Sequence, residues 1–177
     1  MRSSSNSNLV LVREGDVVKI QNGFCQVSFN LSQGTWDYAN QKMFKIIRNA
    51  HMDVVLQDGV TLSSLNASKR EFTADPAKKD NFGLYQPVTF SCEADQHEVR
   101  IHLHVKCYQT QPHILISMSM ENFGDDSIYL AQASVINVSP SEDLIGGGLY
   151  LGSNPENCHV YLNTSSISSG IQPSGKL

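Results

Sequence analysis

The sequence is short of several things, and each shortage removes a class of function. It has one tryptophan in 177 residues, Trp36, so tryptophan-rich ligand clefts are out of reach. No apolar run approaches the length of a membrane-spanning helix, and the N-terminal LVLV stretch is too short for the core of a signal peptide. The 13 Lys and Arg residues are scattered, and the formal charge is -4 with a pI near 5.8. A chain without a basic stripe has no footprint for phosphates, so neither nucleic acid nor a membrane is expected as a partner. The four cysteines, Cys25, Cys92, Cys107 and Cys158, form no C-x-x-C pair, which argues against a zinc ribbon or a redox motif and for buried free thiols. G-x-S-x-G, H-E-x-x-H and the phosphate-binding G-x-x-x-x-G-K-[ST] are all missing, and no cofactor or metal is expected.

Helical periodicity is lacking as well. No segment of ten residues carries a capped apolar stripe with a 3.6-residue repeat; alternation dominates instead. The pattern predicts an all-β protein, an antiparallel β-sandwich of about the size that one domain fills. Residues 1–7 read as a tail, 8–163 as the single sandwich domain, and 164–177, rich in Ser and Gly, as a linker-like tail. Such an ending suggests a piece of a larger protein, and the absence of a leader suggests a cytoplasmic one. The sequons at Asn30, Asn66, Asn137 and Asn163 matter only if the protein is secreted.

The stretch NGFCQVSFNLSQGTWDY predicts a hairpin. Cys25, Val27, Phe29 and Leu31 share an inward face, and Gly34 takes the left-handed conformation of a tight connection. Trp36 and Tyr38 lie on one face of the returning strand, so they are jointly buried or jointly displayed. Core packing is the leading reading for the pair, and stacking on a sugar is the alternative. Residues 43–57 read as strand because β-branched residues precede the Asp58-Gly59 turn. Residues 73–84, TADPAKKDNFGL, read as an exposed loop, and residues 122–126 as a hairpin connection. Strands are expected at 86–94, 97–108, 112–121 and 127–138, with one more hairpin around Gly146–Gly148 and Asn154–Asn157.

Within HEVRIHLHVK, alternation sets Arg100, His102, His104 and Lys106 against Val99, Ile101, Leu103 and Val105. Two imidazoles about 7 Å apart on one strand face resemble half of a zinc site, but flanking cations oppose an ion and no third ligand follows from spacing. A solvated outer face is the expectation. Asp37, Asp53, Asp58, Glu71, Glu121, Asp125 and Asp126 are the carboxylates available for acid/base work, and turn duty accounts for Asp58, Asp125 and Asp126.

Taken together, NGFCQVSFNLSQGTWDY, IIRNAHMDVVLQDG and GGGLYLGSNPENCHVYLNTSSISSGIQPSG resemble the N-terminal β-sandwich domain of glycoside hydrolase family 36 α-galactosidases and raffinose-synthase-like enzymes. The resemblance implies a galactose-mutarotase-like supersandwich followed by a catalytic (β/α)₈ barrel. The family's catalytic aspartates belong to that barrel, so no catalytic residue is carried over, and residues 162–172 lack the aromatic the family places before it. What the resemblance implies is a non-catalytic domain that packs on a barrel, shapes its sugar site or joins copies into a homo-oligomer. A free-standing lectin-like module that holds carbohydrate with Trp36 and Tyr38, or with another aromatic on the concave sheet from among Tyr85, Tyr108, Tyr129, Tyr150 and Tyr161, is the alternative. A small mutarotase-type enzyme is the third reading, with His102, His104 and Glu121 as its acid/base candidates.

Overall fold

The computed structural model describes residues 9–40, 45–94, 97–138 and 148–149. Its strands, in chain order, are β1 (Val10–Glu14), β2 (Val17–Gln21), β3 (Cys25–Asn30), β4 (Thr35–Asn40), β5 (Lys45–Leu56), β6 (Thr61–Ser63), β7 (Lys69–Ala74) and β8 (Lys78–Asp80). β9 (Gly83–Ala94), β10 (Val99–Tyr108), β11 (Ile114–Asn122), β12 (Leu130–Asn137) and β13 (Gly148–Leu149) follow. One 3₁₀ turn, Ser64–Asn66, separates β6 from β7.

The strands form two antiparallel sheets, as the alternation predicts. The first runs β1-β2-β3-β4-β5-β12 with β6 and β13 also paired to β5, and the second runs β11-β10-β9-β7 with β8 paired to β9. β5 is long enough to serve two neighbourhoods: its first half pairs with β4 and β13, its second with β6 and β12. Asn49 marks the change with φ of 50°, a conformation asparagine tolerates better than most residues, and its amide donates to Asp37 Oδ1 at 2.8 Å.

Between the sheets, Val18, Ile20, Val27, Phe29, Trp36, Met52 and Val54 meet Val88, Phe90, Ile101, Leu103 and Val105 in one core. Phe29 stands at its centre, 5.5 Å from the Phe90 ring and 5.9 Å from Phe72. Burying each such side chain contributes about 1.5–3 kcal/mol, which is why a strict two-residue repeat suffices to commit a strand to one face.

The hairpin forms as predicted, with Phe29 opposite Trp36 and Gly34 at φ of 74°. Gly34 is required twice over: a Cβ there would lie 1.9 Å from the Ser64 carbonyl oxygen. Ser64, fully buried, donates its hydroxyl to the Gly34 carbonyl at 2.6 Å and accepts from the Met52 amide at 3.1 Å. Arg70 closes the corner, donating to the carbonyls of Ser64 and Ser32 at 2.8 and 3.2 Å.

Two expectations change. Residues 73–84 are not a plain loop, because β7 reaches Ala74 and β8 pairs with the start of β9. An edge ribbon needs only backbone partners, so charged residues such as Lys78 and Lys79 sit on it without cost. Nor do residues 122–126 make a hairpin: β11 pairs with β10 while β12 pairs with β5, so this segment crosses from one sheet to the other. The expected hairpin at 146–163, the domain end at 163, the tails at 1–7 and 164–177, and Cys158 fall outside the described residues, apart from Leu9 and the Gly148–Leu149 bridge. Cys25, Cys92 and Cys107 are free and buried. Among the described residues, no helix is long and apolar enough to cross a membrane.

Candidate functional site

The paired-aromatic reading resolves into geometry first. Register places Trp36 opposite Phe29 and Tyr38 opposite Val27, both on the inner face. Trp36 is 1% exposed within the core, and Tyr38 packs half-buried against it. Ring faces used as a core wall leave no surface for a sugar at Trp36. Its Nε1 is buried and has no hydrogen-bond partner among the described residues.

The face of β10 that carries Arg100, His102, His104 and Lys106 is the outer one, while Val99, Ile101, Leu103 and Val105 are buried. It is bonded rather than merely wet. Arg100 bridges Glu93 at 2.6 Å and Glu121 at 3.0 Å, and stacks over Phe123. His102 meets the Ser91 hydroxyl at 2.8 Å, and His104 lies between the Thr89 and Ser119 hydroxyls at 3.1 and 2.7 Å. The two rings stack with centroids 5.8 Å apart. Burial, and then the neighbouring His102, holds His104 below the ordinary imidazole value. His102 does come within 3.5 Å of Glu121, so the acid/base trio converges, but on the outer face of the sheet. Among the described residues, no group of three or more His, Cys, Asp or Glu side chains is arranged to hold a metal.

A second imidazole–carboxylate pair lies on β5. His51 Nε2 is 3.3 Å from Asp53 Oδ2, which also accepts from Asn137, and Asp53 Oδ1 is buried without a partner among the described residues. Asp53 was legible as a carboxylate. His51 was not singled out, although the two-residue spacing in His51-Met52-Asp53 was the signal that could have found it.

The segment that crosses between the sheets borders a cavity of about 690 Å³. Gln57, Asp58, Glu98, Asn122, Asp126 and Tyr129 are among its walls. The Gln57 amide donates to the Tyr129 carbonyl at 2.9 Å, which fastens the end of β5 to the crossing segment. The Phe123 amide donates to the Glu98 carbonyl at 2.9 Å, where Glu98 adopts φ of 51°. Asn122 shapes the turn, accepting from the Gly124 amide at 3.1 Å and donating to the Asp126 carbonyl at 2.7 Å. Gly124 is crowded: a Cβ there would come within 2.3 Å of Glu98 Oε2, so the carboxylate would have to rotate away. Tyr129 stands at the rim, 57% exposed. An exposed ring beside carboxylates and amides can stack on the C–H face of a sugar while the acceptors take its hydroxyl protons. Nothing in the order of residues announces this: the walls come from three separate connections.

Compared with protein-family models, with curated proteins and with solved structures, the chain matches none.

Proposed function

We propose that this sandwich is the non-catalytic accessory domain of a larger carbohydrate-active enzyme of the α-galactosidase type, packing against a catalytic barrel. The supporting observation is a seam along β11 and β12. Ile114, Ile116, Met118 and Met120 are only half-buried, while the inward residues of the neighbouring β10 are 0–1% exposed. On the other sheet, Leu130, Val135 and Ile136 of β12 are likewise half-buried. A strip of this kind is better satisfied by a second domain than by water. The test is the parent reading frame: a barrel encoded directly after Leu177 is expected, and a stop codon there would overturn the proposal.

A second reading, a lectin-like module, is favoured by the cavity under Tyr129. It moves the sugar-stacking role from Trp36 and Tyr38 to an exposed ring. Calorimetric titration with galactose and α-galactosides should give binding that Tyr129→Ala removes while the free energy of unfolding stays within about 0.5 kcal/mol of the parent. No heat of binding with the parent protein would sink this reading.

A further inference from the structure

Alternation puts Cys25 on the inner face of β3, in line with Val27 and Phe29, and Cys107 on the inner face of β10, in line with Leu103 and Val105. These strands belong to opposite sheets, so the two thiols face each other across the sandwich. They are neighbours: Asn22, 3.5 Å from Cys25 Sγ, also bonds the carbonyl of Tyr108, next to Cys107, and each thiol shifts the ionisation of the other. Asn22 holds the arrangement from outside. Its Oδ1 accepts from the Cys25 amide at 2.8 Å and lies 3.5 Å from Cys25 Sγ, and its Nδ2 donates to the Tyr108 and Gln111 carbonyls at 2.5 and 3.0 Å. One amide side chain thus ties the start of β3 to the end of β10, beside the Cys25 sulfur.

We propose that Cys25 and Cys107 are a latent cross-link, which closes to an inter-sheet disulfide on exchange with a low-molecular-weight disulfide such as oxidised glutathione. Cys25 is the attacking sulfur. It follows Gly23, an exposed residue, and Phe24, so a small opening of that turn admits the reagent. The hydrogen bond from Cys107 holds the Cys25 thiol below its ordinary value, whereas the hydrogen bond to Cys25 and burial push Cys107 up. The Cys25 thiolate attacks one sulfur of the reagent, whose S–S bond breaks and releases one small thiol with the electron pair. Cys107 then loses its proton and attacks the Cys25 sulfur of the mixed disulfide, expelling the second small thiol. Two protein thiols are oxidised, and one small disulfide is reduced to two thiols.

Cys92 serves as an internal contrast. It is as buried as the other two, and burial pushes its thiol up to about 12, so it stays inert. The bond would close a loop of about 80 residues, and restricting the unfolded chain that far should raise the melting temperature by roughly 10 °C.

The experiment treats the native, reduced chain with oxidised glutathione and reads intact mass and peptide maps. The expected product has lost two hydrogens, carries Cys25 joined to Cys107, and melts higher until reductant is added. Cys107→Ser, which keeps the attacking thiol but not its partner, should instead trap one glutathione on Cys25. A native protein that gains glutathione without internal cross-linking would overturn the proposal. So would one that links other cysteines, or that stays unchanged while its denatured thiols all react.

Discussion

Gly34 and Gly124 both sit at corners where the chain turns against another segment, and both are crowded by a neighbour, yet the two corners behave differently. At Gly34 the obstacle is backbone, the Ser64 carbonyl oxygen at 1.9 Å, and the glycine's φ of 74° is itself unfavourable for other residues. At Gly124 the nearest obstacle is the tip of a side chain, Glu98 Oε2 at 2.3 Å, with its Cβ at 2.9 Å. The first corner is locked by Ser64 and Arg70 into the core; the second stands at the wall of a cavity that remains open. A glycine against backbone is a structural requirement, and a glycine against a carboxylate leaves the neighbour free to move.

Substitutions can break that contrast. The largest effect is expected from Gly34→Ala, which combines φ strain with a backbone clash and should cost about 3 kcal/mol or more in chemical denaturation. A loss below about 1 kcal/mol would mean that the corner is not packed as described. Ser64→Ala comes next. It removes the donor to Gly34 and the acceptor for Met52 from a fully buried site and should cost about 2 kcal/mol. Gly124→Ala should cost about 1–2 kcal/mol, less than Gly34→Ala, because the Glu98 carboxylate can swing aside and only its Cβ, at 2.9 Å, needs a small backbone shift; if the cavity holds a sugar, the same change should weaken the titration with galactosides. Equal losses at Gly34 and Gly124 would erase the distinction between the two corners.

The smallest effect concerns pH. His104 is held below its ordinary imidazole value of 6.5 in the folded protein, so the unfolded chain takes up the proton first as pH falls. Stability from this residue is therefore complete above about pH 6.5 and declines as pH drops towards the folded value. His104→Gln, which preserves hydrogen bonding to Thr89 and Ser119 without titrating, should flatten the acid side of the stability profile. An unchanged profile would show that His104 titrates alike in both states.

Much of the fold was legible, and much less of the site. Alternation identified the inner set Cys25, Val27 and Phe29 and the two faces of β10, and burial follows it except at Ser28 and Tyr108, which are buried on the opposite face. In the segment 73–84, charge and proline mark the exposure that the fold shows, but an edge strand is defined by backbone pairing that composition does not report. Residues 122–126 have good turn chemistry, and turn chemistry is indifferent to which sheet the following strand joins. Tyr129 gained its place at a cavity only through that crossing.

By itself, then, the order of residues determined which side chains face inward, where Gly34 must turn the chain, and that Trp36 and Tyr38 travel together, because a two-residue repeat and a positive φ are local properties. The tertiary structure decided which sheet each strand entered, that the indole serves the core, that Cys25 meets Cys107, and where a cavity was left. Those outcomes depend on hydrogen-bond ladders and packing between segments distant in sequence, which no local pattern encodes.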